Sequence, residues 1–245
     1  MKRFSLKAMG AGVAIVLAGS VGVRADLLYQ DTVNQTVNNL TLPNNGDQVG
    51  EQIWLGTLVP HYLTNFSFEY YSPDTSWGGT VTADVQFRLN NGTPPFNGYA
   101  TPGTLFYDSG SLAFPNPITY NGNSLSNTLT AIYDLPDLQS GTLPLDPNFV
   151  LPSNFTFTVT FSGLTGSESV GLPIFEPPTF GTNYGDYWYD LSGSWELLTN
   201  SLGPVGFAAE FNGSTTPTPE PTVLCLGALA AAALTVMARR RQRRG

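Results

Sequence analysis

A strict alternation of apolar and polar residues is the feature that most constrains the fold of this chain. It is clearest in residues 155–162, 81–90 and 65–70, where Phe, Val, Ala, Leu or Tyr alternates with Thr, Ser, Asp, Gln, Asn, Glu or Arg. Successive side chains of a β-strand point to opposite faces. Each segment therefore predicts a strand with one buried and one solvated face, which is typical of antiparallel sheets.

Weaker strand candidates fill most of the remaining chain between Leu27 and Gly213, and clusters rich in Gly, Pro and Asn, such as 43–46 and 90–92, separate them. These candidates are 27–30, 52–58, 103–114, 126–135, 170–175, 187–198 and 205–211. No stretch in this interval has a convincing helical period. We predict an all-β fold of about ten strands in a single antiparallel β-sandwich, for which a jelly-roll order is one fitting arrangement.

The predicted sandwich domain, residues 26–213, is long enough to bury one core. It contains no cysteine, so its stability has to come from sheet packing without disulfides. All 18 acidic residues of the chain lie between Asp26 and Pro221, and Arg88 is the only Lys or Arg there. Such a surface excludes nucleic acid as a partner but suits divalent cations or neutral polysaccharide.

The N-terminus has the pattern of a secretory signal peptide. Basic residues in the first seven positions precede an apolar run, 8–23, and a small-x-small sequence ends at Ala25. We predict a signal peptide, 1–25, with cleavage between Ala25 and Asp26. An uncleaved N-terminal anchor is the alternative.

The C-terminus combines a stiff linker, an apolar segment and a basic end. Residues 214–221 are rich in Pro and Thr, and residues 222–238 are almost entirely apolar. We predict a short transmembrane helix over the apolar segment, with the C-terminus on the cytoplasmic side. The arginines that would stop translocation are Arg239, Arg240, Arg241, Arg243 and Arg244.

The triplet Pro219-Glu220-Pro221, the apolar segment and the arginine cluster together resemble the PEP-CTERM sorting signal of bacterial envelope proteins, over residues 219–245. The resemblance implies recognition and cleavage near the triplet by an exosortase, after export by the secretion machinery. It also implies transient anchoring in the inner membrane and a final place at the cell surface or in the extracellular matrix. Residues 63–70, 102–110 and 157–164 resemble a type of β-sandwich ectodomain that often precedes this signal, with no known activity.

The residues offer little for catalysis. His61 is the only histidine, no Gly-x-Ser-x-Gly sequence is present, and lysine is absent after Lys7. A glycosidase would need two converging carboxylates, for which Glu69, Asp84, Asp186 and Asp190 are the candidates. We assign no catalytic, cofactor or metal-binding residue and predict that the chain is not an enzyme.

Two kinds of binding stay open. Structural calcium could use oxygen atoms of residues 44–47 with Glu51, or of Asp74 near Trp77, although no Asp-x-Asp-x-Asp-Gly loop is present. Carbohydrate could contact the aromatic run Tyr187, Trp188 and Tyr189, in which Trp188 would face away from the two tyrosines.

The leading hypothesis is an exported, non-catalytic structural protein of the bacterial envelope or extracellular matrix. A surface carbohydrate-binding module is the alternative, and a glycoside hydrolase comes third. We also expect Arg88 to pair with an acidic side chain such as Glu69 or Asp84.

Overall fold

The computed structural model describes residues 25–42, 46–72, 74, 77–96, 98–113, 128–166, 168–191, 193–199 and 203–217. In these ranges the chain forms seventeen strands and one single-turn helix, and every strand pair is antiparallel. The elements, in chain order, are β1 Asp26–Gln30, β2 Gln35–Leu42, β3 Gln48–Trp54, β4 Tyr62–Tyr71, β5 Thr82–Arg88, β6 Gly92–Phe96, β7 Tyr99–Thr101, β8 Leu105–Asp108, β9 Leu112–Ala113, β10 Thr128–Asp134, α1 Leu135–Leu138, β11 Asn154–Ser162, β12 Val170–Phe175, β13 Thr182–Asn183, β14 Tyr187–Leu191, β15 Ser194–Leu198, β16 Gly206–Phe207 and β17 Ala209–Ser214.

Two sheets contain all of these strands except β6 and β7, which form a separate hairpin. The first sheet has the order β1-β17-β4-β12-β16, with β10 paired to β4 and β2 paired to β12. The second sheet has the order β15-β14-β3-β11-β5-β8, with β13 paired to β3 and β9 paired to β5. The prediction of an all-β fold built from antiparallel sheets is confirmed.

The core is a set of aromatic rings between the two sheets. Phe66 of β4 lies 4.5 Å from Phe211 of β17 in its own sheet and 5.2 Å from Phe87 of β5 in the other, measured between ring centroids. Phe155 of β11 lies 5.3 Å from Phe211. All four rings are fully buried, and burying each one contributes roughly 1.5–3 kcal/mol. The period-two segments supply Phe66, Phe87 and Phe155, and the weaker candidate 205–211 supplies Phe211.

The boundaries of several weaker strands differ from the prediction. The segment predicted at 52–58 lies earlier, as β3, and the segment 187–198 is a hairpin that turns at Gly193, where φ is +90°. β2, β6, β7, β13 and α1 were not predicted. These elements are short or rich in polar residues, Gly and Pro, so long-range pairing decides their conformation and the local pattern does not.

The outer face of the second sheet is less solvated than the alternation predicted. Thr156 and Thr158 of β11 face away from the core but are fully buried. The Thr156 hydroxyl donates a hydrogen bond to Asn90 Oδ1 at 2.6 Å, and the Thr158 hydroxyl accepts one from Gln48 Nε2 at 2.8 Å. Neighbouring polar side chains therefore cover the centre of this face.

The first and last strands lie side by side, with Asp26 of β1 opposite Gly213 of β17. The predicted signal peptide up to Arg24, the sorting triplet, the apolar segment and the terminal arginines lie outside the described residues. In the part of the chain that is described, no helix has the length and hydropathy needed to cross a bilayer.

Candidate functional site

A groove runs over the outer face of the second sheet, between the β6–β7 hairpin and the β14–β15 turn. It consists of two adjoining pockets that share Gly193. The first pocket, about 300 Å³, is lined by hairpin residues such as Phe96 and by Ser194 and Trp195. The second, about 290 Å³, has a wall that includes Arg88. Each volume is at the lower end of the range for small-molecule sites in proteins.

The wall of the second pocket is polar because outward-facing positions from four strands lie next to one another. Asp190 of β14 lies opposite Gln48 of β3, and Gln48 lies opposite Thr160 of β11. Gln86 belongs to β5 on the far side of β11 and accepts a hydrogen bond from Gln48 Nε2 at 3.0 Å. Amide, hydroxyl and carboxylate groups thus form one continuous polar surface.

Arg88 lies between the two pockets. Its guanidinium donates to Gln86 Oε1 at 2.7 Å and to the Gly103 carbonyl oxygen at 3.1 Å, and its Cζ lies 5.8 Å from the ring centroid of Trp195. The predicted ion pair with Glu69 or Asp84 is wrong, because the structure pairs Arg88 with no acidic side chain among the described residues. Glu69 belongs to the other sheet, and Gln86 lies between Arg88 and Asp84 along β5.

Partial burial lowers the pKa of Arg88, although the nearby carboxylates Asp190, Asp108 and Asp84 act in the opposite direction. An arginine still carries its positive charge at neutral pH. The groove therefore contains the only Lys or Arg side chain of the interval 26–221, within a strongly acidic surface.

Several polar atoms on this outer face are buried without a hydrogen-bond partner among the described residues. They are Arg88 Nε, Asp84 Oδ1, Gln52 Oε1 and Trp188 Nε1. Buried polar groups in folded proteins are usually paired with protein, water or ligand. Of these side chains, only Arg88 lines one of the two pockets.

Two carboxylates lie close together beside Gln86. Its Nε2 donates to Asp84 Oδ2 at 3.3 Å and to Asp108 Oδ2 at 3.0 Å. Burial is the main reason why the pKa of Asp84 rises to about 6, and the charge of Asp108 raises it further. Asp84 and Glu69, in contrast, belong to different sheets and do not converge.

The aromatic run 187–189 has the predicted alternation but not the predicted exposure. Trp188 lies opposite Gly50 on the outer side of β3, and Tyr189 lies opposite Val49 of the core. Trp188 is fully buried, so its ring is not free to stack on a surface ligand, and both tyrosines pack against the core. Trp195, across the hairpin, is the tryptophan that lines the groove. The sequence does not distinguish Trp195 from the other tryptophans, because its position depends on the register of β14 with β15.

The described residues do not assemble either of the suggested calcium sites. Residues 43–45 lie outside the described residues, and Glu51 points into the protein, where it is fully buried. Asp74 accepts a hydrogen bond from the Ser169 backbone at 2.8 Å. Among the described residues, no group of three or more His, Cys, Asp and Glu side chains is arranged to hold a metal ion.

His61 is a buried residue of the loop before β4. Its Nδ1 lies 2.6 Å from the Val59 carbonyl oxygen, and its Nε2 lies 3.5 Å from Asp26 Oδ2. These contacts connect the loop to the start of β1. The imidazole is not part of the groove.

Comparison with known proteins adds no functional assignment. No family model, curated protein or solved structure matches the chain.

Proposed function

We propose that this chain is an exported, non-catalytic protein of the bacterial envelope or extracellular matrix, and that its β-sandwich binds neutral polysaccharide in the groove. The contact between Arg88 and Trp195 carries this proposal. The contact puts the flat indole ring of Trp195, in the first pocket, next to the charged guanidinium of Arg88, a hydrogen-bond donor in the second.

Carbohydrate is the ligand class that fits these groups best. A sugar offers C–H groups to an aromatic ring and hydroxyl groups that donate and accept hydrogen bonds. The carboxylate of Asp190 and the hydroxyl of Thr160, which line the second pocket, can serve such hydroxyls. A neutral chain also avoids the repulsion that the acidic surface would exert on an anionic polymer.

The geometry favours one chain in a groove over the flat surface of a crystalline polysaccharide. Trp54, Tyr184 and Tyr99 lie side by side, but their rings are nearly perpendicular. The ring planes of Trp54 and Tyr184 are 84° apart, and those of Tyr184 and Tyr99 are 81° apart. Such rings do not form a flat platform. The proposed ligand is therefore a soluble or single-chain glycan.

The strand order supports assigning the sandwich to the jelly rolls. Eight of the strands make up two four-stranded layers. One layer has the order β1-β17-β4-β10 and faces the other, which has the order β3-β11-β5-β8. The first strand, β1, lies next to the last, β17. Most connections among these eight strands cross from one layer to the other. On this interpretation, β12 to β16 are an insertion before the final strand.

Export and sorting rest on the two ends of the sequence. The first strand starts at Asp26, directly after the proposed signal-peptide cleavage site, and the last ends at Ser214, before the Pro/Thr-rich linker. Removing both ends would take no strand away from the sandwich. This supports processing by signal peptidase and exosortase at the proposed places.

A glycan array with the purified protein tests the binding function, with Trp195→Ala as the groove variant. Tyr184→Ala is a matched control, because Tyr184 is an aromatic side chain that is 44% exposed and lines neither pocket. Wild type and the control should retain the same neutral glycan, and Trp195→Ala should lose at least tenfold in affinity. Failure of wild type to bind any glycan would remove the binding function and leave the structural role. Release of shortened glycan would contradict the non-catalytic assignment.

A further inference from the structure

A second cluster of polar groups is buried at one end of the sandwich, away from the groove. Asp31 directly follows β1, Glu51 belongs to β3, and both are fully buried. Glu176 directly follows β12 and is half-buried. Asn183 of β13 lies between the carboxylates, because its Nδ2 donates to Glu51 Oε1 and, at 3.1 Å, to Glu176 Oε2.

The carboxylate of Asp31 points towards the same amide. A Cβ atom at Gly206 would clash with Asp31 Oδ2 and would lie 2.7 Å from Asn183 Nδ2, so these two groups share the space beside Gly206. The absence of a side chain at Gly206 leaves room for them. The cluster thus brings together the first sheet, through β1, β12 and β16, and the second sheet, through β3 and β13.

Asp31 and Glu51 differ in how their oxygen atoms are satisfied. Glu51 accepts hydrogen bonds from the Tyr29 hydroxyl at 3.2 Å and from the Phe207 backbone at 2.8 Å. Neither oxygen of Asp31 has a partner among the described residues. Burial, followed by the charge of Glu176, raises the pKa of Asp31 to about 7. An unpaired buried carboxylate is strongly unfavourable, so this side chain needs a proton or a ligand that the described residues do not supply.

The residues that the structure describes supply no cation to this cluster. Arg88 is the only Lys or Arg between Asp26 and Pro221, and it is engaged on the outer face of the second sheet. His61 lies beside Asp26. Neutralisation therefore has to come from protons or from a cation in the surrounding solution.

We propose that Asp31, Glu51 and the side-chain oxygen of Asn183 form a calcium site that links the two sheets. All three offer the hard oxygen ligands that calcium prefers, and waters can complete its flexible coordination shell. Asn183 presents its oxygen after rotation of the amide group, whose O and N atoms have nearly the same shape. The site uses two carboxylate ligands, Asp31 and Glu51. Glu176 accepts a hydrogen bond from Asn183 Nδ2 and is not one of the ligands.

Terbium(III), a luminescent substitute for calcium, provides the direct test on the purified full chain in mild detergent at pH 7.5. Tyr29 should sensitise terbium emission, because its hydroxyl touches Glu51. Calcium, but not an equal concentration of magnesium, should displace the terbium. Calcium at about 100 times its Kd should raise the melting temperature by roughly 5 °C or more over the chelator-treated protein.

Asp31→Asn is the decisive variant, and Asp186→Asn is its matched control outside the cluster. Asp31→Asn should fold, since it removes a buried charge, but should lose at least tenfold in terbium affinity and most of the calcium-dependent shift. Equal affinities for Asp31→Asn and wild type would overturn the site, as would a wild-type protein that responds to neither ion. If Asp31→Asn does not fold, the wild-type titration decides alone. If the carboxylates bind only protons, the melting temperature will depend on pH but not on calcium. That result would also overturn the proposal.

Discussion

The guanidinium of Arg88 lies over the indole ring of Trp195, with 5.8 Å between its Cζ and the ring centroid. Arg88 belongs to β5 and Trp195 to β15, and three strands lie between them in the second sheet. At about 4.8 Å per strand spacing, the two backbones are far apart, so both side chains extend across the sheet face to meet. The contact connects a residue of the second pocket with a residue of the first.

Arg88→Lys should weaken glycan binding by roughly tenfold while preserving the fold, because lysine keeps the charge but lacks the planar fork that stacks and donates at several angles. Calorimetric titration with the best glycan from the array measures this loss. Trp195→Phe is the companion variant, since it keeps a flat ring, and it should retain more affinity than Trp195→Ala. Unchanged affinity in Arg88→Lys would show that the guanidinium does not contribute to the site.

Phe211→Ala should destabilise the sandwich by about 3–5 kcal/mol, because it removes a fully buried ring that contacts rings from both sheets. Urea denaturation monitored by tryptophan fluorescence measures the change. Ile132→Ala is a control in the same sheet, and its side chain is 64% exposed. The control should change the free energy of unfolding by less than about 1 kcal/mol. Similar losses in both variants would contradict the position of the core.

Asp84→Asn should stabilise the protein above pH 6 and have little effect near pH 4. The pKa of Asp84 is raised from 3.8 to about 6 in the folded state, mainly by burial and then by Asp108. The folded state thus holds this proton more tightly than the unfolded state. The resulting stabilisation is fully present below pH 3.8 and is lost as the pH rises through 6.

Thermal unfolding of wild type and Asp84→Asn at pH 4 and pH 7.5 tests this sign. The difference in melting temperature between the two proteins isolates Asp84 from other groups that titrate over the same range. A difference that is equal at both pH values, or larger at pH 4, would contradict the raised pKa.

Deleting residues 219–245 should release the folded protein into the periplasm or medium. The deletion removes the proposed sorting triplet, membrane segment and arginines but none of the seventeen strands of the described residues. Cell fractionation with an antibody against the sandwich measures its location. Thermal unfolding of the released protein should match that of the processed wild type. Retention of the truncated protein in the cytoplasm, or its misfolding, would show that the C-terminal segment is more than a sorting signal.

Much of the fold was predictable because strands with one buried face carry a period of two in the sequence. β4, β5 and β11 show this pattern over six or more residues, and their Phe, Tyr and Val side chains are a large part of the core. β2 was missed because its sequence, QTVNNLTL, is largely polar. It exists as a strand because β12 pairs with it.

The groove could not be predicted in the same way. The aromatic run 187–189 was the most visible local pattern, yet Trp188 is buried and Trp195 lines the pocket. Which ring reaches the surface depends on what covers each face, and that depends on strands distant in sequence.

The amino-acid sequence alone determined the β class, the apolar face of the main strands and the separation of basic ends from an acidic body, because these depend on local periodicity and composition. Only the tertiary structure decided which polar groups meet. Glu51 and Asn183 are 132 positions apart and in contact, and Arg88 and Trp195 meet only through the order of five strands. Register and sheet order fix such contacts through pairings across the whole chain, and no local pattern encodes them.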